Sequence, residues 1–191
     1  MILALDSGLD CTGWALFTAP GQPLATLQGY APCLVASGYE TTKPDSRPDH
    51  IQIPARVTLL VTSLEAALWR TPPLDDKLTT ALIEVPSAFG PYASRGPQRQ
   101  EKALGMARSM ACLWYTIGRL EGWLAATYPP IRIVSIKAAG QKTANHAMVR
   151  VVWPHLPTVK TGPGADQLDA VYLGLRYLLD HRRVAPHLAP Q

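Results

Sequence analysis

Residues 2–17 read ILALDSGLDCTGWALF, and this stretch decides the expected fold. Its first apolar run, Ile2 to Asp6, ends in an acid, and its second run, residues 12–17, follows a turn that contains Gly8. Two short apolar runs separated by turn residues predict a β-hairpin. Asp6 then lies at the carboxyl end of the first strand, beside the turn.

Strands and helices alternate along the rest of the chain. The predicted elements are, in order, a loosely patterned strand within residues 27–39, a helix with apolar positions from Val57 to Leu68, a buried strand at 79–85, a long helix at 98–128, a strand at 131–136, a short helix at 143–153 and an amphipathic helix at 166–180. The Pro-rich segments at 42–54 and 71–74 are expected as loops. This order predicts an α/β domain with a mixed sheet flanked by helices.

The long helix is apolar over an unusually wide arc, and Gly105, Gly118 and Gly122 would permit close approach of another element. Such an arc indicates either burial between the sheet and partner helices or a seam between two copies of the chain.

Length and composition favour a single compact domain. A chain of 191 residues that is 47% hydrophobic suits one domain at 1–182, with residues 183–191 expected as a flexible tail. The three cysteines show no C-x-x-C spacing, which argues against a disulfide framework or a zinc ribbon. No leader-like segment and no uninterrupted apolar stretch of about 18 residues is visible, so a soluble, cytoplasmic protein is expected.

The charge is divided unevenly along the chain. Residues 1–94 carry five Lys/Arg against nine Asp/Glu, whereas residues 95–191 carry thirteen against five. This distribution indicates a surface that follows a phosphate backbone, next to a separate acidic pocket that holds metal. An uneven but merely solvated surface is the alternative.

Four carboxylates have positions that suit metal binding. Asp6 and Glu84 each end an apolar strand, and Asp166 and Asp169 share one face of the last predicted helix. Ligation by oxygen alone suits Mg²⁺ or Mn²⁺ rather than zinc, and two such ions about 3.5 to 4 Å apart hydrolyse phosphodiesters. Local roles remain open for two of the acids, because Asp6 could start the turn and Asp166 could cap the helix.

Five stretches resemble, in the family's order, motifs of the RuvC Holliday junction resolvases of the RNase H-like superfamily. They are the opening hairpin (ILALDSG from residue 2 and TGWA from residue 12), the second acidic strand (ALIE, 81–84), the start of the long helix (ALGMAR, 103–108), a basic segment (136–150) and the closing acidic helix (ADQLDA, 165–170). Sugar kinases and actin-like ATPases open on a similar hairpin, but they need a second nucleotide-binding lobe for which this chain is too short.

The resemblance implies an RNase H-like domain with a central mixed five-stranded sheet. It also implies a homodimer whose two active sites make paired cuts across a four-way DNA junction in recombination or repair. The implied metal ligands and catalytic residues are Asp6, Glu84, Asp166 and Asp169, with two Mg²⁺ (or Mn²⁺) ions at each site. Lys142, or else Lys137, would steady the charge on the scissile phosphate.

Further residues are candidates for DNA contact. Phe89 and Tyr92 stand near the place of the family's aromatic wedge, where a stacked base contributes about 1 to 3 kcal/mol, although packed loop aromatics are an equal interpretation. The basic candidates are Arg95, Arg99, Lys102, Arg108, Lys137 and Lys142, with solvated surface residues as the alternative. His146 lies near the basic segment and is a candidate for water activation.

The sequence also departs from the family pattern. Ser7 stands where Pro is usual, the 137–142 connection is short, and length is added at 42–54 and 71–76, which together imply a divergent, phage-type member that would act in the host cytoplasm. Two alternatives stay open: an RNase H-like nuclease acting on forks, flaps or structured RNA, and a branched-DNA-binding protein that does not cut. Neither a membrane nor a small-molecule cofactor is expected.

Overall fold

A five-stranded mixed sheet forms the centre of the fold. The computed structural model describes residues 1–19, 24–71, 78–86, 97–137, 142–159 and 161–184, without the side chains of 97–104, 142–143 and 181–184. The strands are β1 (Ile2–Asp6), β2 (Cys11–Phe17), β3 (Leu34–Thr41), β4 (Thr80–Val85) and β5 (Arg132–Lys137), in the spatial order β3-β2-β1-β4-β5. Adjacent strands among β1, β2 and β3 run antiparallel, whereas β4 pairs parallel to both β1 and β5. The predicted mixed sheet is confirmed.

Helices cover both faces of the sheet. They are α1 (Asp49–Trp69), α2 (Pro97–Thr127), α3 (Lys142–Val152) and α4 (Pro163–Val184), and a 3₁₀ helix, Leu27–Cys33, precedes β3. Side chains alternate across each strand, so Leu3 and Leu5 join the core with α1 and α2, whereas Ile2 and Ala4 join the core with α3 and α4. The fold is therefore a three-layer α/β/α domain.

Some element boundaries differ from the sequence predictions. The α1 helix begins at Asp49, inside a segment expected as a loop, and includes Pro54. It continues through this proline because its apolar face, which includes Leu60 and Leu64, is buried against the sheet. The α4 helix begins at Pro163, so Asp166 lies in its first turn and is not its cap.

The end of α4 bears on the predicted tail. The helix includes residues 183 and 184. Residues 185–191 lie outside the described part of the chain, so a flexible tail there stays a prediction.

By length and composition alone, α1 is apolar enough to cross a membrane. Its side chains Val57, Leu60, Leu64 and Leu68 are fully buried against the sheet and α2. Packing of this face against the sheet and α2 is typical of a core helix.

Two glycines let α4 approach the sheet closely. A Cβ atom on Gly13 would lie 1.9 Å from the backbone carbonyl oxygen of Asp166, and one on Gly174 would lie 2.1 Å from the ring of Phe17. Neither position has room for a side chain. The first turn of α4 therefore lies directly on β2. It also lies beside the end of β1, because Gly13 pairs with Asp6 in the β1–β2 ladder.

Replacing Gly13 with alanine should therefore both destabilise the fold and displace the first turn of α4. Overpacking of this kind costs about 1 to 3 kcal/mol, and thermal or urea unfolding monitored by circular dichroism measures it. The matched control is Gly105→Ala in α2, where a Cβ meets no atom within 4 Å. That change should leave the protein as stable or stabilise it by up to about 1 kcal/mol. Equal effects of the two changes would contradict this account of Gly13.

Candidate active site

The alternation of side chains along the strands brings two of the predicted acids to the same face of the sheet. In β1, Ile2 and Ala4 face α3 and α4, and in β4 so does Leu82. Asp6 and Glu84 follow these residues at even spacing, so they lie on the same face. Because β1 and β4 are parallel neighbours, both acids also lie at the same edge of the sheet.

Three of the four predicted carboxylates meet at this edge. A carboxylate oxygen from each of Asp6, Asp166 and Asp169 lies within 4.8 Å of the other two, and Asp169 is buried at 6% exposure. Oxygens that bind one Mg²⁺ at about 2.1 Å lie at most about 4.2 Å apart. Small side-chain rotations would therefore let the three groups share one ion, and a set of three carboxylates suits a hard cation.

Glu84 lies beside this cluster rather than within it. It lines a small cleft together with Asp169 and Lys137, at the carboxyl ends of β4 and β5. Glu84 and Asp169 are therefore on the same side of the sheet, as a shared metal site requires. The Ser7 hydroxyl donates a hydrogen bond of 3.3 Å to the Glu84 carbonyl oxygen and ties the end of β1 to the end of β4.

A buried histidine holds one of the acids. His146 Nε2 lies 2.8 Å from Asp169 Oδ1, and both side chains are buried. A carboxylate oxygen accepts, so the imidazole donates its N–H. A hydrogen bond of this kind fixes the orientation of a metal-binding carboxylate. The structure joins His146 to Asp169, and its expected role in water activation stays a prediction.

Cys11 lies next to the carboxylates. Burial, a side-chain hydrogen bond with Asp166 and the negative charges of Asp166, Asp6 and Glu40 together raise the pKa of the Cys11 thiol far above its ordinary range. The thiol therefore stays protonated at neutral pH. The negatively charged groups that the cluster offers to a cation are the carboxylates.

The structure describes the side chains of two of the predicted DNA-binding residues. Lys137 is exposed at the end of β5 and lines the cleft with Glu84. Arg108 forms an ion pair with Asp49 and lines a different cavity, of about 530 Å³, between the β1–β2 turn, α1 and α2.

Six predicted contact residues remain predictions. Lys142 begins α3, and Arg99 and Lys102 lie in the first turns of α2, but the side chains of all three lie outside the described part of the structure. The segment with Phe89, Tyr92 and Arg95 lies wholly outside it.

Two residues of the cleft were missed by the sequence analysis. Asn145, directly before His146, and Arg176, two helical turns after Asp169, line the cleft with Glu84 and Lys137. A spacing of seven residues places Arg176 on the same helix face as Asp169. That spacing is the signal that could have identified it.

Solved structures show which known proteins share this architecture. Thermus thermophilus RuvC in complex with a Holliday junction substrate matches with a TM-score of 0.60 at 12% identity, covering 95% of each chain. A second structure of RuvC from the same organism matches with a TM-score of 0.58 at 12% identity and 96% coverage of each chain. The chain has the RuvC fold. This result confirms the RNase H-like architecture expected from the sequence.

A third solved structure is less similar, and the comparisons of sequence found no match. Fowlpox virus resolvase, solved with a Holliday junction DNA, matches with a TM-score of 0.42 at 13% identity, over 94% of this chain and 97% of the viral one. No protein-family model and no curated protein matches the sequence. The RuvC likeness is therefore a likeness of fold at low sequence identity.

Removing the His146 hydrogen bond should weaken metal binding at the carboxylate cluster. We expect His146→Leu to lower the affinity for Mn²⁺ by about 10- to 100-fold, the usual effect of losing a partner of a metal ligand. His146→Gln, whose amide can donate to Asp169, should restore part of it. Isothermal titration calorimetry with Mn²⁺ measures both, and His155→Leu, at an exposed histidine after α3, is the control. Identical affinities for wild type and His146→Leu would contradict this role.

Proposed function

We propose that this protein is a metal-dependent endonuclease of the RuvC type that cuts four-way DNA junctions. The observation that carries the proposal is the meeting of Asp6, Asp166 and Asp169 at one edge of a sheet with the RuvC fold. These acids are distant in sequence and come from a strand end and a helix start. Carboxylates gathered in this way repel one another unless a cation neutralises them, so the site is suited to metal binding.

The donor set indicates which residues would hold the metal. Asp6, Asp166 and Asp169 would hold one divalent cation, and Glu84, which shares a cleft with Asp169, would contribute to a second. When bound, Mg²⁺ or Mn²⁺ ions of this kind activate water and stabilise the leaving oxygen of a phosphodiester. A two-ion site would therefore supply the chemistry of hydrolysis.

The protein's own side chains orient the site and contact the substrate. His146 holds the Asp169 carboxylate through a hydrogen bond of 2.8 Å. Lys137, exposed at the rim of the cleft, would place a positive charge beside the scissile phosphate, where it stabilises charge that develops during the reaction. Lys142, at the first residue of α3, is the second lysine proposed for this role.

The proposed substrate is branched DNA. RuvC and the fowlpox resolvase were solved with Holliday junction DNA, and the RuvC likeness supports the same substrate class here. The thirteen Lys/Arg against five Asp/Glu in residues 95–191 support a surface that attracts a phosphate backbone.

The exposed apolar side chains of α2 support a homodimer. Trp114 is 51% exposed and Tyr115 is 41% exposed. A Cβ on Gly118 or Gly122 would meet no atom within 4 Å, so another helix could approach closely there. Of the two interpretations offered by the wide apolar arc, a seam between two copies thus accounts for its exposed part. Two copies joined at α2 would bring two active sites to one junction.

Wild-type protein with Mg²⁺ should nick a synthetic four-way junction symmetrically in opposite strands, and Asp6→Asn or Asp169→Asn should abolish detectable cleavage. The reason is that each change removes a charged ligand from the cluster. Denaturing gels with each strand labelled in turn measure the cuts. Asp45→Asn is the matched control, because the Asp45 side chain forms an exposed ion pair with Arg47 and such pairs contribute about 0 to 1 kcal/mol.

The alternatives give different results in the same assay. If the protein preferentially cuts a fork, a flap or an RNA hairpin in the presence of the four-way junction, that structure is its substrate and the junction is not. Binding that survives a chelator, without nicking in Mg²⁺ or Mn²⁺, would identify a non-cleaving junction-binding protein. Equal products from wild type and Asp6→Asn would overturn the proposed role of the carboxylates.

A charge placed in the α2 seam should separate the proposed dimer. Trp114→Glu is expected to shift the sedimentation coefficient from that of a dimer to that of a monomer, because an unpaired charge buried at an interface is costly. Val151→Glu is the control: Val151 is 56% exposed on α3, against the opposite face of the sheet. A monomeric wild type, or a Trp114→Glu variant that stays dimeric, would contradict the seam.

A further inference from the structure

The cleft beside the carboxylates has a composition that metal binding does not explain. It is lined by the acids Glu84 and Asp169, by the polar or basic residues Lys137, Asn145 and Arg176, and by Tyr172 and Leu173. Lys137 and Arg176 are cations, which repel a divalent ion, and the Asn145 amide presents N–H donors beside its carbonyl oxygen. The cleft therefore suits a second partner, one that accepts hydrogen bonds and carries negative charge.

The interior of the cleft is very small. Its volume is about 10 Å³, which is roughly the space that one water molecule needs. A base or a sugar does not fit into it, whereas one oxygen atom does. The rest of any ligand must stay at the mouth, beside the longer side chains.

Asn145 is buried at the wall of this cleft. Asn145 is 8% exposed and lines the cleft. A buried amide without a partner is unfavourable, so buried amides normally bond to protein, water or ligand. An oxygen atom that entered the cleft would accept from this amide.

Arg176 and Lys137 supply positive charge at the mouth. The Arg176 side chain is 41% exposed, and its Nε lies 3.6 Å from the Asp180 carboxylate. This distance is long for an ion pair, so the guanidinium can turn toward a ligand. Lys137 is exposed at the end of β5. Arg176 lies seven residues after Asp169, about 10 Å further along α4, so its charge is displaced from the carboxylate cluster.

We propose that Asn145 and Arg176 bind a phosphate of the cleaved strand next to the scissile one, to which Lys137 is assigned. One non-bridging oxygen of that phosphate enters the cleft and accepts a hydrogen bond from the Asn145 amide. The Arg176 guanidinium neutralises the charge of that phosphate at the mouth. Asn145 and Arg176 are thus positioning residues, which set where the strand lies relative to the carboxylates. The inference rests on the proposed nuclease function.

Salt-dependent binding tests the charged part of this site. Affinity for a labelled four-way junction is measured by fluorescence anisotropy in chelator, so that cleavage plays no part. Each phosphate contact contributes about 0.9 to the slope of log K against log salt, and Arg176→Gln should lower the slope by that amount. Asn145→Leu should weaken binding about tenfold or less without changing the slope. Arg132→Gln, at the opposite end of β5, is the matched control and should change neither quantity.

A methylphosphonate removes the negative charge at one position of the backbone, so a series of them locates the phosphate that Arg176 contacts. In junctions that carry one methylphosphonate at successive positions around the cut, wild-type binding should be weakened at one flanking position. Arg176→Gln should be insensitive at that position and keep wild-type sensitivity elsewhere. A wild-type slope and wild-type position pattern in Arg176→Gln would overturn the subsite even if the protein cuts junctions. Binding with the expected pattern but no cleavage in Mg²⁺ or Mn²⁺ would overturn the nuclease and retain the subsite. No binding of branched DNA would overturn both.

Discussion

The contact between the first turn of α4 and β2 is the constraint on which the rest of the site depends. A Cβ at Gly13 would lie 1.9 Å from the Asp166 carbonyl oxygen, so the helix backbone rests on the strand backbone there. Gly13 pairs with Asp6 across the β1–β2 ladder. Placing the start of α4 over Gly13 therefore also places Asp166 and Asp169 beside Asp6. A glycine that sequence reasoning assigned only to a hairpin determines whether the carboxylates meet.

The sequence predicted the parts of the site that depend on strand alternation and strand ends. Asp6 and Glu84 each end an apolar strand, and parallel neighbours with the same alternation must present both acids at one edge and on one face. The i, i+3 spacing of Asp166 and Asp169 likewise follows from helix geometry alone. Local periodicity therefore predicted where these four acids lie along their strands and helix, but not how the last helix lies across the sheet.

The parts that the sequence did not predict arise from packing between elements. His146 reaches Asp169 across 23 positions of sequence because α3 packs on α4, and no local pattern encodes that contact. Arg56 is a similar case. It is buried in α1 and paired with Asp10 of the β1–β2 turn. In both cases, burial of an apolar helix face carried a polar side chain to a distant partner.

The charges of the site also bear on how a branch could be recognised. Asp166, Asp169 and Arg176 follow one another along α4, so a strand that contacts both the acids and Arg176 has a fixed position on the protein. Phosphate contacts position a strand but carry little information about what lies beyond it. Under the proposed function, one cleft alone would thus accept any exposed strand. Selectivity for a junction then has to come from two clefts held at a fixed distance. The exposed apolar part of α2, on the opposite face of the sheet from α4, can join two copies without obstructing either cleft.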